Sequence, residues 1–501
     1  MNYERLLNIL RGAGRPRVLL VGDFMLDRYL YGDTDRISPE APVLVMNVKE
    51  RRQRPGGAGS VAVNLSLLGC EVHCFGVIGS DPAGSELISE LGTLTGVQTR
   101  GLLTDPTRHT TVKGRLIGLA QHRHQQQLMR LDEESRSELS ENLQAKLLDK
   151  FCQALPECDV VCLEDYNKGL FSPSFCRQVI DAARAAGKKV ILDPASIGDY
   201  GRYRRAWLVK PNRREVAQAA GLEAVDEAAV AAGCEKLCAQ YDFGNLVVTL
   251  DKQGAFLYEA VSGEGRLVPT RPRDVYDVTG AGDMVLAMLG LLIGASYDDV
   301  EDPTLEDVVQ LANIAGGLEV EHYGCVGIPR EDIVAELMRE GRIHGGKLRS
   351  LEVLVQELAA LRQQGRKIVF TNGCFDILHS GHVDLLRFAR QQGDILIVGL
   401  NSDVSVRGLK GPGRPINDQH ERAELMGALE MVDYVTIFDE SAPGALIEAI
   451  TPDVLIKGSD WQGNVVGQEW VESHGGRVAL MPLKTGHSTT NIIERVRNST
   501  V

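Results

Sequence analysis

Short apolar runs alternate with longer stretches of helical periodicity along most of this chain, and that alternation restricts its fold more than any other feature. In the first part of the chain the runs are 17–21, 72–77, 160–163, 189–192, 206–209 and 246–250. Runs of this length between helical stretches are typical of buried strands joined by crossover helices. The sequence therefore predicts an α/β fold with a mainly parallel sheet.

Two segments, 29–50 and 110–130, do not follow this alternation. Both are rich in β-forming residues, Gly and Pro, and neither has helical spacing. This pattern is typical of antiparallel strands that lie beside a main sheet. We expect a β flap here, which could act as a lid.

The alternation restarts after a charged, helical stretch that contains Gly341, Gly345 and Gly346. The second series of apolar runs is 367–370, 395–400, 434–437 and 454–457. A second series implies a second domain, and 501 residues are enough for two. We predict a first domain over 1–335, a linker over 336–364 and a second domain over 365–501.

Composition excludes several classes of protein. Lys and Arg number 54 against 68 Asp and Glu, a net charge of −14 with no long basic run, so a nucleic-acid partner is not expected. The first residues are charged and do not resemble a secretory signal, and the apolar stretch 284–293 is too short to span a membrane. Ten cysteines never form a CxxC pattern, which suggests reduced thiols. We expect a cytoplasmic protein without a membrane partner.

The segment 277–283 reads Asp-Val-Thr-Gly-Ala-Gly-Asp and leads directly into the apolar helix predicted at 284–293. Free N–H groups and the helix dipole stabilise an anion at such a helix start, as transfer of a phosphoryl group requires. Asp283 would lie in the first turn, where its carboxylate can accept a proton from an attacking hydroxyl. An isolated turn of this kind is more often only a capped helix start, so its meaning depends on the rest of the chain.

Two further loops supply that context. Residues 54–64 form a second Gly-rich turn before a helix, and residues 210–215 read Lys-Pro-Asn-Arg-Arg-Glu. Together with the turn at 277–283, these loops resemble those of the ribokinase-like sugar kinases. The resemblance implies a ribokinase-like fold, ATP as a substrate and Mg²⁺ as a cofactor. The implied site residues are Gly56, Gly57 and Asn64 at the sugar; Asn212, Arg213, Arg214 and Glu215 at the nucleotide, with Glu215 also at the metal; and Gly280, Ala281, Gly282 and the catalytic Asp283 at the phosphoryl group.

Segments 22–29 and 36–43 resemble the heptose-7-phosphate kinases within that family. This resemblance implies that Asp27 binds sugar hydroxyls, whereas a carboxylate in a strand-end turn is the structural alternative. Ser60 departs from the pattern, because such sequences usually have Asn at this position. Basic residues of the expected flap would either bind a second phosphate of the sugar or be solvated surface charges: Arg36, Lys113, Arg115 and Arg130.

The second domain carries its own constellation at 371–382, where a strand is followed by Thr-Asn-Gly-Cys-Phe-Asp-Ile-Leu-His-Ser-Gly-His. His379 and His382 at a helix start can meet one phosphate and stabilise the charge that develops as pyrophosphate leaves. The pattern resembles the HxGH motif of Rossmann-like nucleotidyltransferases. A zinc site with Cys374 and a purely structural histidine pair are the alternatives.

Two more segments of the second domain match this resemblance, 409–415 and 484–492. It implies that Ser488 and Thr489 bind the nucleotide phosphates, and that 457–461 borders the nucleotide. Lys410 could neutralise the triphosphate or be a solvated loop lysine. Lys484 stands where related transferases often have Arg, which puts a bidentate phosphate contact in doubt.

The two domains in this order resemble the family of bifunctional heptose kinases and adenylyltransferases of bacterial lipopolysaccharide-core precursor synthesis. The resemblance implies phosphorylation of D-glycero-β-D-manno-heptose 7-phosphate at C1, and adenylyl transfer from ATP to heptose 1-phosphate. It also implies a homo-oligomer, which we expect to be a dimer. The residues alone indicate only a hydroxyl kinase and a nucleotidyltransferase. Another sugar kinase fused to a cytidylyltransferase and a non-catalytic sugar-sensing scaffold therefore stay open.

Overall fold

The structure is a computed structural model of the 501-residue chain. It describes residues 2–118, 126–222, 226–270, 273, 280–297, 301–321, 326–344, 347–411, 413–459, 463 and 465–482. The chain divides into two compact units, the first of residues 4–336 and the second of residues 337–501 together with 1–3.

Strands of the first unit form a main sheet and a separate flap. They are β1 (Arg17–Gly22), β2 (Phe24–Ile37), β3 (Leu44–Gly57), β4 (Glu71–Gly79), β5 (Val97–Asp105), β6 (Thr111–Gly118), β7 (Gln126–Glu133), β8 (Val160–Glu164), β9 (Lys189–Asp193), β10 (Leu208–Val209), β11 (Asn245–Thr249), β12 (Gly254–Glu259) and β13 (Glu264–Pro269). The helices that begin before the division between the units are α1 (Tyr3–Gly12), α2 (Ala58–Leu67), α3 (Pro82–Gly92), α4 (Glu141–Ala154), α5 (Pro173–Ala185), α6 (Arg213–Ala220), α7 (Glu227–Tyr241), α8 (Ala281–Gly294), α9 (Leu305–Glu319) and α10 (Arg330–His344), which continues past it.

In the described part of the chain, the main sheet has nine strands in the order β13-β12-β11-β10-β9-β8-β1-β4-β5. Neighbouring strands pair in parallel from β11 across the sheet to β5. The strands β12 and β13 pair antiparallel at the other side of β11. Helices cover both faces, which is why β1, β8 and β9 read as continuous apolar runs. The chain order reverses between β1 and β8, and ligands of open α/β sheets bind beyond the carboxyl ends of strands at such a reversal.

The flap is a second sheet in the order β3-β2-β6-β7. The outer pairs are antiparallel, whereas β2 and β6 pair in parallel. The expectation of a purely antiparallel flap is therefore wrong in its central pair. The reason is topological, because β6 enters the flap only after the chain has passed through β4 and β5 of the main sheet.

Helix α8 is the most apolar helix of the first unit, and it packs against α2 and α9. Its residues from Asp283 to Leu292 are all buried, so its first turn is fixed rigidly beneath the carboxyl edge of the sheet. No helix among the described residues is both long enough and apolar enough to cross a membrane. The nine described cysteines are free thiols.

The second unit is a parallel sheet in the order β16-β15-β14-β17-β18 with helices on both faces. Its strands are β14 (Ile368–Gly373), β15 (Ile395–Asn401), β16 (Tyr434–Phe438), β17 (Val454–Gly458) and β18 (Arg477–Met481). Its helices are α11 (Leu351–Gln363), α12 (Ser380–Arg390), α13 (Asp403–Lys410), α14 (Gln419–Gly427), α15 (Gly444–Ile450) and α16 (Gln468–Ser473). The chain order reverses between β14 and β17, which makes the end of β14 the expected ligand position.

The segment predicted to be a linker, 336–364, contains helix α11. Leu354 and Leu358 of this helix are fully buried in the core with Ile368 and Phe370 of β14. Leu348 forms a parallel bridge with Val435 of β16. Residues from about Leu348 onward therefore belong structurally to the second unit.

Candidate active sites

Three neighbouring strands of the main sheet, β8, β9 and β10, end in or lead directly into a charged residue beside the reversal of chain order. Gly22 of β1 is in register with Glu164 of β8, which is in register with Asp193 of β9. Lys210 follows β10, and its N–H donates to the carbonyl of Leu192. Because parallel strands place their carboxyl ends at one edge, the side chains of Glu164, Asp193 and Lys210 gather there.

Asp283 lies in the first turn of α8, as predicted. The turn before it is possible because Gly280 has a φ of 99°, a left-handed conformation that glycine adopts readily. The Tyr166 hydroxyl donates to Oδ1 of Asp283 at 3.1 Å, and Ser60 of α2 also hydrogen-bonds to this carboxyl. The carboxylate is thus held between the N-terminal turn of α8, the loop after β8 and the helix after the first Gly-rich turn.

Burial raises the pKa of Asp283 to about 6. The Ser60 hydrogen bond, the Lys210 charge, the Tyr166 hydrogen bond and the Lys113 charge oppose that rise. A carboxylate with a pKa slightly below neutral is ionised when the enzyme works and is still basic enough to take up a proton, which suits general-base catalysis.

Sugar-side residues gather where the flap joins the main sheet. Gly57 has a φ of 55°, and a Cβ on it would lie 2.6 Å from the Asp23 carbonyl oxygen, so only glycine fits. A Cβ on Gly56 would lie 2.8 Å from the carboxyl carbon of Asp27. Asp27 is buried and forms an ion pair with Arg115 at 3.0 Å. The structure therefore brings Asp27, Gly56 and Gly57 together.

Asn64 does not join this group. It lies on α2 six residues after Ala58, about 9 Å further along the helix axis, and its amide oxygen faces Gly327. Ser60, one turn earlier, is the polar side chain of α2 that reaches the candidate site. Ser60, which stands where similar sequences usually have Asn, thus hydrogen-bonds directly to Asp283.

The loop Asn212–Glu215 forms a capping box at the start of α6. Oδ1 of Asn212 accepts from the N–H groups of Arg214 and Glu215, at 2.9 and 3.0 Å. Glu215 accepts from the Asn212 N–H at 2.8 Å and from the Ser196 hydroxyl at 2.7 Å. Arg213 donates to the Gln253 side chain. The sequence pattern of this loop therefore has a structural role in addition to any role at a nucleotide.

The four basic flap residues separate into two pairs. The ammonium of Lys113 lies 4.4 Å from the ring centre of Tyr166, and Arg115 pairs with Asp27, so both point into the site. Arg36 is exposed, and the exposed Arg130 pairs with Asp132 of its own strand. The solvated-charge alternative thus describes Arg36 and Arg130.

In the second unit, His379 is the N-cap of α12, and its carbonyl accepts from the His382 N–H at 2.9 Å. The two imidazoles stack with ring centres 3.8 Å apart, and Phe375 contacts the His382 ring at 5.0 Å. Phe375 has a φ of 45°, an unfavourable conformation for this residue that concentrates at functional sites. The pair lies beyond the end of β14, at the reversal of chain order.

Burial, together with the charges of His379 and Lys410, lowers the pKa of His382 to about 4. Lys410, the last residue of α13, is therefore close enough to the histidine pair to act on it. The His382 ring is neutral at pH 7 in the free protein. An arriving polyphosphate would meet a site with a neutral imidazole and a nearby ammonium group.

The fully buried Arg422 fixes the loop before the histidines through hydrogen bonds. Its guanidinium donates to the carbonyls of Cys374 at 2.7 Å and Asn401 at 2.8 Å, and to Asp403 at 2.6 Å. Asp376 accepts from Arg414 and from the Ile416 N–H. These bonds tie the His379 loop to the ends of β15 and α13.

Several predicted residues lie outside the described residues. They are Asp277, Val278 and Thr279 before the first site, and Asp460, Trp461, Lys484, Ser488 and Thr489 of the second domain. Lys457 is described, and its ammonium donates to Asn372 at the end of β14. Within the described ranges, no three His, Cys, Asp or Glu side chains form a group that could hold a metal ion.

Three residues of this site were not predicted from the sequence: Glu164, Tyr166 and Asp193. Glu164 and Asp193 directly follow the apolar runs 160–163 and 189–192, and that position was the available signal. The contact of Tyr166 with Asp283 joins residues 117 positions apart and has no sequence signal.

Comparison with protein-family models matches both units. Residues 15–332 match the pfkB family of carbohydrate kinases, and residues 370–495 match the cytidylyltransferase-like family. Among solved structures, ribokinase of Arabidopsis thaliana complexed with ribose and ATP aligns with a TM-score of 0.51 and 18% identity, over 64% of this chain and 99% of that one. Phosphofructokinase-2 of Escherichia coli, in its tetrameric inhibited form, aligns with a TM-score of 0.53 and 20% identity, over 65% and 100%. The predicted fold class is confirmed: a ribokinase-like unit followed by a Rossmann-type one.

Curated relatives match over the whole length. The "Bifunctional protein HldE" of Trichlorobacter lovleyi is 42% identical over 497 residues, which cover 99% of this chain and 98% of that protein. The proteins of the same name in Geobacter sulfurreducens and Wolinella succinogenes are each 40% identical, over 99% and 98% of this chain and 99% and 100% of their own length.

Proposed function

The chain belongs to the family of the bifunctional HldE proteins, and we propose that its two units catalyse two separate steps on heptose phosphates. It is an enzyme with a carbohydrate kinase unit and a nucleotidyltransferase unit. The kinase converts D-glycero-β-D-manno-heptose 7-phosphate and ATP to the 1,7-bisphosphate. The second unit converts heptose 1-phosphate and ATP to ADP-heptose and pyrophosphate. Both steps supply precursors for the lipopolysaccharide core.

In the kinase step, the C1 hydroxyl oxygen attacks the terminal phosphorus of ATP and ADP leaves. Asp283 takes the hydroxyl proton, because its ionised carboxylate is buried beside the start of α8 and has a pKa of about 6. Backbone N–H groups of Gly280, Ala281 and Gly282 face the charge on the phosphoryl group. Asp27 and Gly56 would receive the sugar, while Asn212, Arg213, Arg214 and Glu215 would lie on the nucleotide side.

In the adenylyl step, a phosphate oxygen of heptose 1-phosphate attacks the α-phosphorus of ATP, and the bond to pyrophosphate breaks. His379 and His382 stabilise the charge that builds up on the phosphates, with Lys410 as a nearby cation. We also propose phosphate contacts from Ser488 and Thr489. The single observation that supports this function best is the stacked histidine pair beyond the end of β14, in a chain that also carries Asp283 at a helix start.

The kinase site contains donors that suit Mg²⁺, which prefers oxygen ligands and is usually bound through one or two carboxylates plus substrate phosphates. Glu164 has a buried carboxyl oxygen with no hydrogen-bond partner among the described residues, and Asp193 and Glu215 lie on the same side of the site. Glu215 and Glu164, together with the substrate phosphates, would hold Mg²⁺, which would neutralise the triphosphate, while Asp193 stays paired with Lys210.

We further propose that the enzyme acts in the cytoplasm as a dimer. Free thiols and the use of ATP support that compartment. The flap exposes Ile37, Leu44, Met129 and Leu131, and a second copy of the chain could cover this apolar face. Light scattering of the full chain would report a dimer, and Met129→Lys should shift it towards monomer.

The substrates are tested by product analysis. The full chain is incubated with heptose 7-phosphate, heptose 1-phosphate, a hexose phosphate and a pentose phosphate, each with all four nucleoside triphosphates, and products are identified by mass spectrometry. We expect heptose bisphosphate from the first sugar and ADP-heptose from the second. CDP-sugar as the main nucleotide product would favour the cytidylyltransferase alternative, and no product from any pair would favour the sugar-sensing scaffold.

A further inference from the structure

Lys210 is a buried cation at the kinase site. Its side chain is only 4% exposed, and its ammonium lies 2.7 Å from Oδ2 of Asp193. Burying an ammonium is costly unless the charge is paired. Asp193 supplies that pairing, and it also fixes the position of the ammonium at the carboxyl edge of the sheet.

The ammonium of Lys210 points to the start of α8. A Cβ built on Gly282 would lie 3.4 Å from the Lys210 nitrogen and 3.8 Å from Oδ2 of Asp193. Gly282 is the second residue of α8, where helix N–H groups have no partner within the helix. The lysine and these N–H groups therefore border the same space, and the absent side chain of Gly282 leaves room between them.

The surroundings keep Lys210 charged. Asp193 and Glu164 raise the pKa of its ammonium against the effect of burial. Glu164 is buried beside Asp193 in the sheet register, and one of its carboxyl oxygens has no hydrogen-bond partner in the described part of the chain. Neutralising Asp193 alone would not require the Lys210 ammonium to lie against the start of α8, where the phosphoryl group is expected to bind.

We propose that Lys210 is a catalytic residue of the kinase, which donates a hydrogen bond from its ammonium to the phosphoryl group in transit past Gly282. This inference rests on the proposed kinase function. In the step, the bond from phosphorus to the sugar oxygen forms, the bond to ADP breaks, and the hydroxyl proton goes to Asp283. Lys210 keeps its protons and balances the charge on the equatorial oxygens, as lysine clamps do in phosphoryl transfer. Asp193 is a positioning residue that acts through Lys210.

The test compares Lys210→Met with the double variant Lys210→Met/Asp193→Asn in the full chain. Loss of one preorganised donor should lower the kinase kcat about 10²–10³-fold, with KM for the sugar within about threefold of wild type. If Lys210 only neutralises Asp193, the double variant should recover kinase kcat, because it leaves no unpaired buried carboxylate. We expect the double variant to stay as slow as Lys210→Met.

Controls separate folding from chemistry. Adenylyl transfer by the second unit, and the melting curve, report whether each variant is folded. Lys236→Met removes another lysine, whose ammonium donates to the Ala220 carbonyl at 2.6 Å, and should leave kcat unchanged. If Lys210→Met is unstable, the double variant decides: low kcat with a wild-type melting curve supports the proposal, and a kcat near wild type overturns it.

Failure of this inference and failure of the proposed function give different results. A wild-type chain without kinase activity on any phosphosugar would overturn the proposed kinase function itself. An active wild type with Lys210→Met above about one third of its kcat would overturn only the role of Lys210.

Discussion

Asp283→Asn should abolish the kinase without weakening the first unit. The amide is almost the same size as the carboxylate, and its oxygen can still accept the Tyr166 hydroxyl, which lies 3.1 Å from Oδ1. It cannot take up the hydroxyl proton. A positioned base contributes about 10²–10⁴ in rate, or roughly 3–5 kcal/mol of transition-state stabilisation, so the variant should retain at most about 1% of wild-type kcat.

We expect the same substitution to keep or raise the stability of the first unit, although it abolishes the kinase activity. Burial raises the pKa of Asp283 from 3.8 to about 6, so at neutral pH the folded protein holds an ionised group that the fold disfavours. Each pKa unit corresponds to about 1.4 kcal/mol, which puts the cost at up to about 3 kcal/mol above pH 6. It disappears as pH falls and the carboxyl is protonated. Asn removes the charge, so the first unit should melt at the same or a higher temperature.

The assay is initial-rate measurement of ADP release with heptose 7-phosphate at saturating ATP, together with calorimetry at pH 7.5. Adenylyl transfer measured in the same preparation is the control for intact protein. More than about a tenth of wild-type kinase turnover would refute the role of Asp283 as base. A large fall in melting temperature would refute the electrostatic account of its burial.

Three further outcomes are expected. The kinase kcat/KM should rise with pH through about 6, as Asp283 ionises among Ser60, Tyr166, Lys113, Lys210, Glu164 and Asp193; a profile that is flat from pH 5 to 8 would contradict this assignment. Asp27→Asn should lower kcat/KM for the sugar by about 10–100-fold, since a hydrogen bond to a charged group contributes about 1.5–3 kcal/mol, with KM for ATP unchanged; Asp33→Asn, a partly exposed flap carboxylate that pairs with Lys49, is the control. Leu354→Ala in α11 should destabilise the second unit by about 2–5 kcal/mol, whereas the exposed Gln363→Ala should not, and an equal effect of the two would place α11 in a linker.

The sequence was informative about the sheets because their strands are buried on both faces. Predicted runs such as 160–163 and 395–400 lie within one residue of β8 and β15. The run 206–209 was too long, since only Leu208 and Val209 form β10. The edge strands β5 and β13, and β12 beside β13, were not predicted. Edge strands have less uniform burial and a weaker apolar signal.

The candidate sites were predictable where one short segment contains both the anion-binding turn and the reactive side chain. Asp283 and the pair His379 and His382 are such cases. Contacts that form only through the fold were not predictable. Tyr166 approaches Asp283 from a loop, and Lys113, predicted only as a possible phosphate ligand, approaches it from the flap. The sugar contact predicted for Asn64 stays a prediction, since its amide oxygen faces Gly327 in this structure.

The domain boundaries remain a prediction, and the packing of α11 shows how the start of the second domain can be tested. A second domain that begins at 365 would lack α11 and leave Ile368 and Phe370 without their partners Leu354 and Leu358. We therefore propose that a second domain expressed from residue 347 is active alone.

The central claim is that two separate sites in one chain perform two separate reactions, and paired measurement of both activities in two single variants tests it most directly. Asp283→Asn and His382→Ala are purified as full chains, and kinase and adenylyl transfer are each measured with ATP and the matching heptose phosphate. The account predicts that Asp283→Asn loses only the kinase, and that His382→Ala loses only adenylyl transfer, by about 10²–10³-fold for one lost donor. A folded variant that loses both activities, or His382→Ala with wild-type adenylyl transfer, would contradict it.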